Sequence, residues 1–147
     1  MGSTFHNLVY HLVFGTKDRS PLLEDPWRDQ LFTYLGGAVR GLGGNSLGVG
    51  GYYDHVHILV KLPPAIAPAN FVRELKKGSS RWVKEHHGPG FAWQEGYALF
   101  GISHTHVASV RRYVLQQVEH HQVVSFREEV ARLLKVNGVD FDPAYLP

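Results

Sequence analysis

The chain contains no cysteine. Disulfides, thiolate metal sites, iron–sulfur clusters and thiol nucleophiles are therefore excluded. Any metal must be held by histidine, carboxylate or amide groups. No apolar run approaches the roughly 18 residues that a membrane-spanning helix needs. The first residues lack a basic region followed by an apolar stretch, so no secretory leader is expected. Charge is sparse as well: 19% of residues are charged, against about 25% in ordinary domains. The net charge of +2 permits a nucleic-acid partner without demanding one. What the 147 residues do have is a 44% hydrophobic content and ten histidines. The first excludes disorder and supplies the core of one domain over residues 1–147. The second is the anomaly.

Residues 4–14 are rich in β-branched and aromatic types and read as a strand. Apolar positions at helical spacing predict a helix over 27–40. Eight of the sixteen glycines fall in 36–51, which reads as hinge or hairpin material around a short strand near 46–52. This segment lacks the Gly-Lys-Ser/Thr ending of a phosphate loop. Residues 52–62 give the clearest strand, stopped by Pro63 and Pro64. A helix follows over 67–87, and then a last strand over 97–102. Another helix runs from about 105, capped by Ser103 or Thr105, to 121. A shorter one spans 126–135. The order β-α-β-β-α-β-α predicts an α+β fold, ferredoxin-like or RRM-like. Its antiparallel sheet carries helices on one face, plus a C-terminal helix and tail.

Within the 52–62 strand, His55, His57 and Leu59 alternate with Val56, Ile58 and Val60. Two imidazoles two residues apart lie roughly 6.5–7 Å from each other, close enough to converge on one divalent cation. They read equally as two surface histidines on a half-exposed strand. Asp54, immediately before the pair, could orient an imidazole or cap the strand, although the same alternation points its side chain to the opposite face. In the 105–121 helix, Val107, Val110, Val114 and Val118 make an apolar stripe. Tyr113 and Gln117 lie one turn apart at its edge. That position suits either a functional pair or a boundary tyrosine with a solvated glutamine. His120 falls near the same edge. His121 falls near the stripe and is expected to be structural. Trp82 shares an apolar helix face with Leu75, whereas Trp93 sits in a loop.

Taken together, these features resemble the HUH single-tyrosine transposases, part of the wider group that includes rolling-circle replication initiators and relaxases. The resemblance is carried by the first-strand run from His11 to Arg19 and by Asp54-His55-Val56-His57-Ile58-Leu59-Val60. Residues 76–82, the run from Phe91 to Tyr97, and Tyr113-Val114-Leu115-Gln116-Gln117 followed by Glu119-His120-His121 also carry it. The commoner form of the tyrosine motif is Tyr-Ile-Arg-Asn-Gln; this chain departs from it centrally and keeps the tyrosine and the terminal glutamine. The tail from Ser125 to Leu146 resembles the subgroup associated with repetitive extragenic palindromes.

The resemblance implies a core over 4–121 with an extension over 122–147. It implies a metal site made by His55, His57 and Gln117, filled by Mg²⁺ or Mn²⁺. Tyr113 is the implied nucleophile, forming a 5′-phosphotyrosine with single-stranded DNA at a hairpin or palindromic end. His120 is placed beside the metal ligands rather than among them. Lys17, Arg19, Lys76, Lys77, Arg81, Arg111 and Arg112 are candidate DNA contacts, with Arg73 and Lys84 near them. A homodimer with shared active sites and a cytoplasmic, nucleoid-associated location complete the expectation. Two competing readings are a non-catalytic RRM-like module that binds single strands and a metallohydrolase that uses a bound hydroxide.

Overall fold

The computed structural model describes residues 2–147. Four strands, β1 (Val9–Gly15), β2 (Asn45–Gly51), β3 (His55–Lys61) and β4 (Ala98–Ile102), alternate with two long helices, α1 (Trp27–Gly41) and α2 (Pro68–His87). Beyond the sheet come α3 (Val107–Leu115), α4 (Gln117–His121) and α5 (Phe126–Val136). All strand pairs are antiparallel, in the order β2-β3-β1-β4. This is the ferredoxin-like α+β arrangement expected from the element order.

Strand alternation sorts the side chains onto two faces. Leu12 and Phe14 from β1 and Val56, Ile58 and Val60 from β3 form the main core. They pack with Leu31, Leu35 and Val39 of α1 and with Phe71, Val72 and Leu75 of α2. The opposite face presents Val9, His11 and Val13 of β1 beside Leu59, His57 and His55 of β3. Val114 of α3 packs on Val9 and Leu59, and Phe126 and Val130 of α5 pack on Val13. Because both faces are covered, His55 through Val60 are all buried, although the sequence there reads as a half-exposed strand.

The loop after α2 is fixed rather than open. Trp93 is buried against Phe14 and Phe91, and its indole N–H donates to Ser79 Oγ at 3.0 Å. The Lys76 ammonium donates to the carbonyls of Gln94 and Gly96 at 2.7 and 2.9 Å.

Three local expectations change. The single helix expected over 105–121 is broken at Gln116, whose φ of −108° and ψ of 27° end α3. There the Tyr113 carbonyl accepts the Gln116 N–H at 3.3 Å, a tightened turn, and the Gln117 side-chain amide at 3.1 Å. The break leaves Val118 exposed and turns His121 inward. Ser103 does not cap a helix; its hydroxyl bonds His106 Nδ1 at 2.7 Å.

Of the β2 glycines, Gly50 and Gly51 are required by close packing and Gly48 is not. A Cβ on Gly50 would overlap the carbonyl oxygen of Val114, whereas one on Gly48 would make ordinary contacts, the nearest at 3.5 Å from Arg111 Cγ. The missing side chain at position 50 therefore lets the Tyr113 helix lie directly on the sheet. Gly50→Ala is expected to destabilise the protein by more than about 2 kcal/mol through backbone displacement. Gly48→Ala is expected to stay within about 1 kcal/mol. Equal urea midpoints for the two variants would contradict this packing.

Candidate metal and nucleophile site

The face of the sheet beneath α3, α4 and α5 gathers polar groups that water does not reach. His55, His57, Gln117 and Glu129 are each at most 1% exposed. His55 and His57 project there because of strand alternation. Gln117 enters at the start of α4, and His121 at its end. Glu129 comes from α5, on the same helical face as Phe126, Val130 and Leu133. One oxygen of its carboxylate, Oε1, lies 2.9 Å from His57 Nε2 and 2.9 Å from His121 Nε2. The same oxygen lies 3.3 Å from His55 Nε2. The other, Oε2, accepts the hydrogen bond of the Tyr113 hydroxyl and is 3.4 Å from His120 Nε2, a buried atom with no hydrogen-bond partner. Gln117 Oε1 lies 3.2 Å from His55 Nε2.

The donor atoms of His55, His57, His121 and Glu129 all fall within 4.8 Å of one another. Three imidazole nitrogens and one buried carboxylate oxygen are a donor set that could hold a divalent transition ion. The structure thus brings together Tyr113, His55, His57 and Gln117, the four residues singled out by the sequence, with His120 at the rim. It adds His121 and Asp54, which the sequence reading placed elsewhere, and Glu129, which it passed over. His121 faces the cluster rather than serving only the core. Asp54 Oδ1 bonds His55 Nδ1 at 2.7 Å, because Asp54 lies in the turn before β3, where strand alternation does not yet apply. Glu129 carried a legible signal, a carboxylate on the apolar stripe of an amphipathic helix. A further histidine, His11, bonds His57 Nδ1 through its Nε2 at 2.7 Å.

The basic candidates are scattered. Lys17 and Arg19 are exposed on a short turn, and Lys77 and Arg81 on α2, across the sheet from the cluster. Arg112 is exposed, while Arg111 Nε donates to the Leu47 carbonyl at 2.8 Å. Beside Tyr113 a groove of about 600 Å³ opens, lined by His106, Ser109, Tyr113, His120 and Arg132 among others.

Electrostatics follow from burial and from Glu129. Burial opposes the charge on Glu129, but its bonds to His121, His55 and His57 outweigh this and hold the carboxyl far below its usual range. Burial and then the Glu129 charge push the Tyr113 phenol well above its ordinary value. Burial also lowers His55, yet its bonds to Asp54 and Glu129 prevail and raise it. Burial depresses His11 to about 3 and His57 to about 4.

Below pH 6.5 the unfolded chain takes up protons on His11 and His57 that the folded chain refuses. His55 is protonated in both states there and drops out. The stability contributed by the two neutral rings is full above pH 6.5 and is lost as pH falls towards 4. Thermal melts of metal-free protein from pH 7 to 4.5 should show a loss of about 2–4 kcal/mol. A flat profile would show that these rings are not held neutral.

A family model described as "Transposase IS200 like" matches residues 4–117. The ISDra2 transposase TnpA of Deinococcus radiodurans is 28% identical over 119 residues, covering 76% of this chain and 85% of that protein. The crystal structure of a putative transposase from Deinococcus radiodurans superposes with a TM-score of 0.62 at 26% identity, covering 78% of this chain and 93% of the other. A REP-associated tyrosine transposase bound to a REP hairpin shares the fold, with a TM-score of 0.60 at 16% identity over 100% of this chain and 92% of the other. A histidine pair on the central strand, a tyrosine held beside it and a family match over most of the length agree: the chain belongs to the IS200-like family of single-tyrosine HUH transposases.

Proposed function

We propose that this transposase cuts and rejoins single-stranded DNA through a covalent link to Tyr113. One observation carries the reading: the Tyr113 hydroxyl and the His55–His57 pair meet on the same carboxylate, that of Glu129. Nucleophile and metal ligands are therefore adjacent within a single chain. A divalent ion held by His55 and His57, with the Gln117 amide beside them, would neutralise and polarise the phosphodiester.

The residues supply the rest. The phenolic oxygen of Tyr113 forms a bond to phosphorus while the bond from phosphorus to the 3′ oxygen breaks. The phenolic proton ends on that oxygen, giving a free 3′-hydroxyl and a 5′-phosphotyrosine. One phosphodiester replaces another, so attack by a second 3′-hydroxyl rejoins strands without an external energy source. Burial and the negative charge of Glu129 hold the phenol protonated, and the bond to Gln117 and the charge of Arg132 oppose that hold. His120 and Arg132 border the groove beside Tyr113 and suit an approaching phosphate backbone.

The fold shared with a protein bound to a REP hairpin supports a hairpin or palindromic end as substrate. Lys17, Arg19, Lys77, Arg81 and Arg112, with Arg73 and Lys84, are exposed cations available to DNA; Lys76 and Arg111 already donate to carbonyls. A homodimer belongs to the reading as well, although Tyr113 reaches the histidines of its own chain. A cytoplasmic, nucleoid-associated location belongs to the reading too. Among the described residues no helix is long and apolar enough to cross a membrane.

With a single-stranded hairpin oligonucleotide and Mn²⁺ or Mg²⁺, wild type should form a covalent protein–DNA adduct visible on a denaturing gel. Tyr113→Phe should abolish the adduct while costing about 1 kcal/mol of stability for the lost hydrogen bond. Chelation should abolish it reversibly. Adduct formation by the folded phenylalanine variant would sink the assignment, and DNA cleavage without any adduct would favour a hydrolase.

A further inference from the structure

In the cluster around Glu129 the outer ring nitrogens are already engaged, while the inner ones converge on one carboxylate oxygen. His55 Nδ1 faces Asp54 Oδ1 at 2.7 Å, and His121 Nδ1 faces the Val124 carbonyl oxygen at 2.5 Å. A carboxylate and a carbonyl only accept, so each ring carries its proton on Nδ1, and in the neutral imidazole Nε2 bears a lone pair. Both of those Nε2 atoms nonetheless face acceptors. His55 Nε2 lies 3.3 Å from Glu129 Oε1 and 3.2 Å from Gln117 Oε1. His121 Nε2 lies 2.9 Å from Glu129 Oε1. His57 Nε2 meets the same oxygen at 2.9 Å while its Nδ1 is engaged by His11. With His55 and His121 neutral, as metal ligands must be, their Nε2 lone pairs face acceptors, and positive charge relieves that, either as a second proton on each ring or as one metal ion between them. A single divalent ion serves both atoms at once and has His57 Nε2 and Glu129 Oε1 within the same reach, all four ligand atoms lying within 4.8 Å of one another. Fixing a ring through an Nδ1–H bond to an oxygen, with Nε2 directed inward, is also how imidazole ligands are commonly oriented.

The geometry points to a metal site in which His121 Nε2 and Glu129 Oε1, both in the C-terminal segment, bind the same ion as His55 and His57. This rests on the reading that the chain works with a divalent ion and goes beyond it in naming two ligands from α4 and α5. Three nitrogens and one anionic oxygen favour a first-row transition ion such as Mn²⁺ over Mg²⁺, which prefers oxygen throughout. Because Glu129 also accepts the Tyr113 hydroxyl on its second oxygen, it is a positioning residue that holds the nucleophile beside the ion. The ion in turn fastens α5 to β3.

The test uses the full chain with MnCl₂ and no DNA. Free Mn²⁺ is followed by continuous-wave EPR, and the coordinated imidazole nitrogens are counted by pulsed EPR. Wild type should bind Mn²⁺ with three imidazoles and retain it in excess Mg²⁺. His121→Gln should lower the count to two, and Glu129→Gln should weaken Mn²⁺ binding by more than about tenfold. Circular dichroism checks that each variant is folded. Unchanged affinity in both folded variants, or displacement by Mg²⁺, overturns the inference. A wild-type count of two imidazoles overturns it without recourse to any variant. Should His57→Gln still abolish binding in those cases, the metal-dependent reading stands and only the C-terminal ligands fall. Should wild type bind no divalent ion, that reading fails first.

Discussion

The carboxylate of Glu129 is 1% exposed and is reached by three imidazoles on one oxygen and by a phenol on the other. Taking such a charge out of water costs several kcal/mol unless its partners are well placed. The structure meets that cost by convergence. β3 brings two histidines, α3 the tyrosine, α4 another histidine and α5 the carboxylate itself. None of these elements can shift alone without leaving a buried charge or a buried ring nitrogen unmatched. The last third of the chain is thus not an appendage to the sheet. It closes the polar face and sets the distance between the nucleophile and the histidines.

The two faces of the sheet divide the work. On one, aliphatic side chains from β1 and β3 pack with α1 and α2, and burial of this kind, about 1.5–3 kcal/mol per large side chain, carries most of the fold's stability. The other face gives up apolar area to histidines. Its apolar contacts are confined to two small clusters flanking the polar groups, one around Val114 and one around Phe126 and Val130. A stable half therefore presents a costly half. Trp93, pinned edge-on to Phe14, belongs to the stable half; its place in a loop concealed this.

Much of this was legible in the sequence because local periodicity survives tertiary packing. Strand alternation alone put His55 and His57 on one face, and helical spacing put Tyr113 beside Gln117. The strand order followed from the order of elements. What failed to show were features created by contacts distant in sequence. Nothing near His55 announces that a helix some seventy residues later will cover it, so β3 read as half exposed. At the break the Tyr113 carbonyl takes both the Gln116 N–H and the Gln117 side-chain amide, which no propensity encodes, and His121 beyond it meets Glu129, a partner supplied by another helix. Asp54 was misplaced because alternation was extended one residue beyond the strand's true start. Glu129 stood in plain view on an apolar helical stripe, but a lone acid there has meaning only once its partners are known.

The contact between Gly50 and Val114 is backbone against side-chain-free backbone. The height of the tyrosine above the sheet is therefore set by atoms that every amino acid shares on the helix side and by an absent Cβ on the strand side. Tolerance to sequence drift is correspondingly lopsided. The exposed positions Leu115 and Gln116, where this chain already departs from its family's commoner motif, can vary without lifting the nucleophile. Position 50 can accept almost nothing. A lineage that diversifies how it reads DNA has room to do so on the helix, provided the strand beneath stays bare.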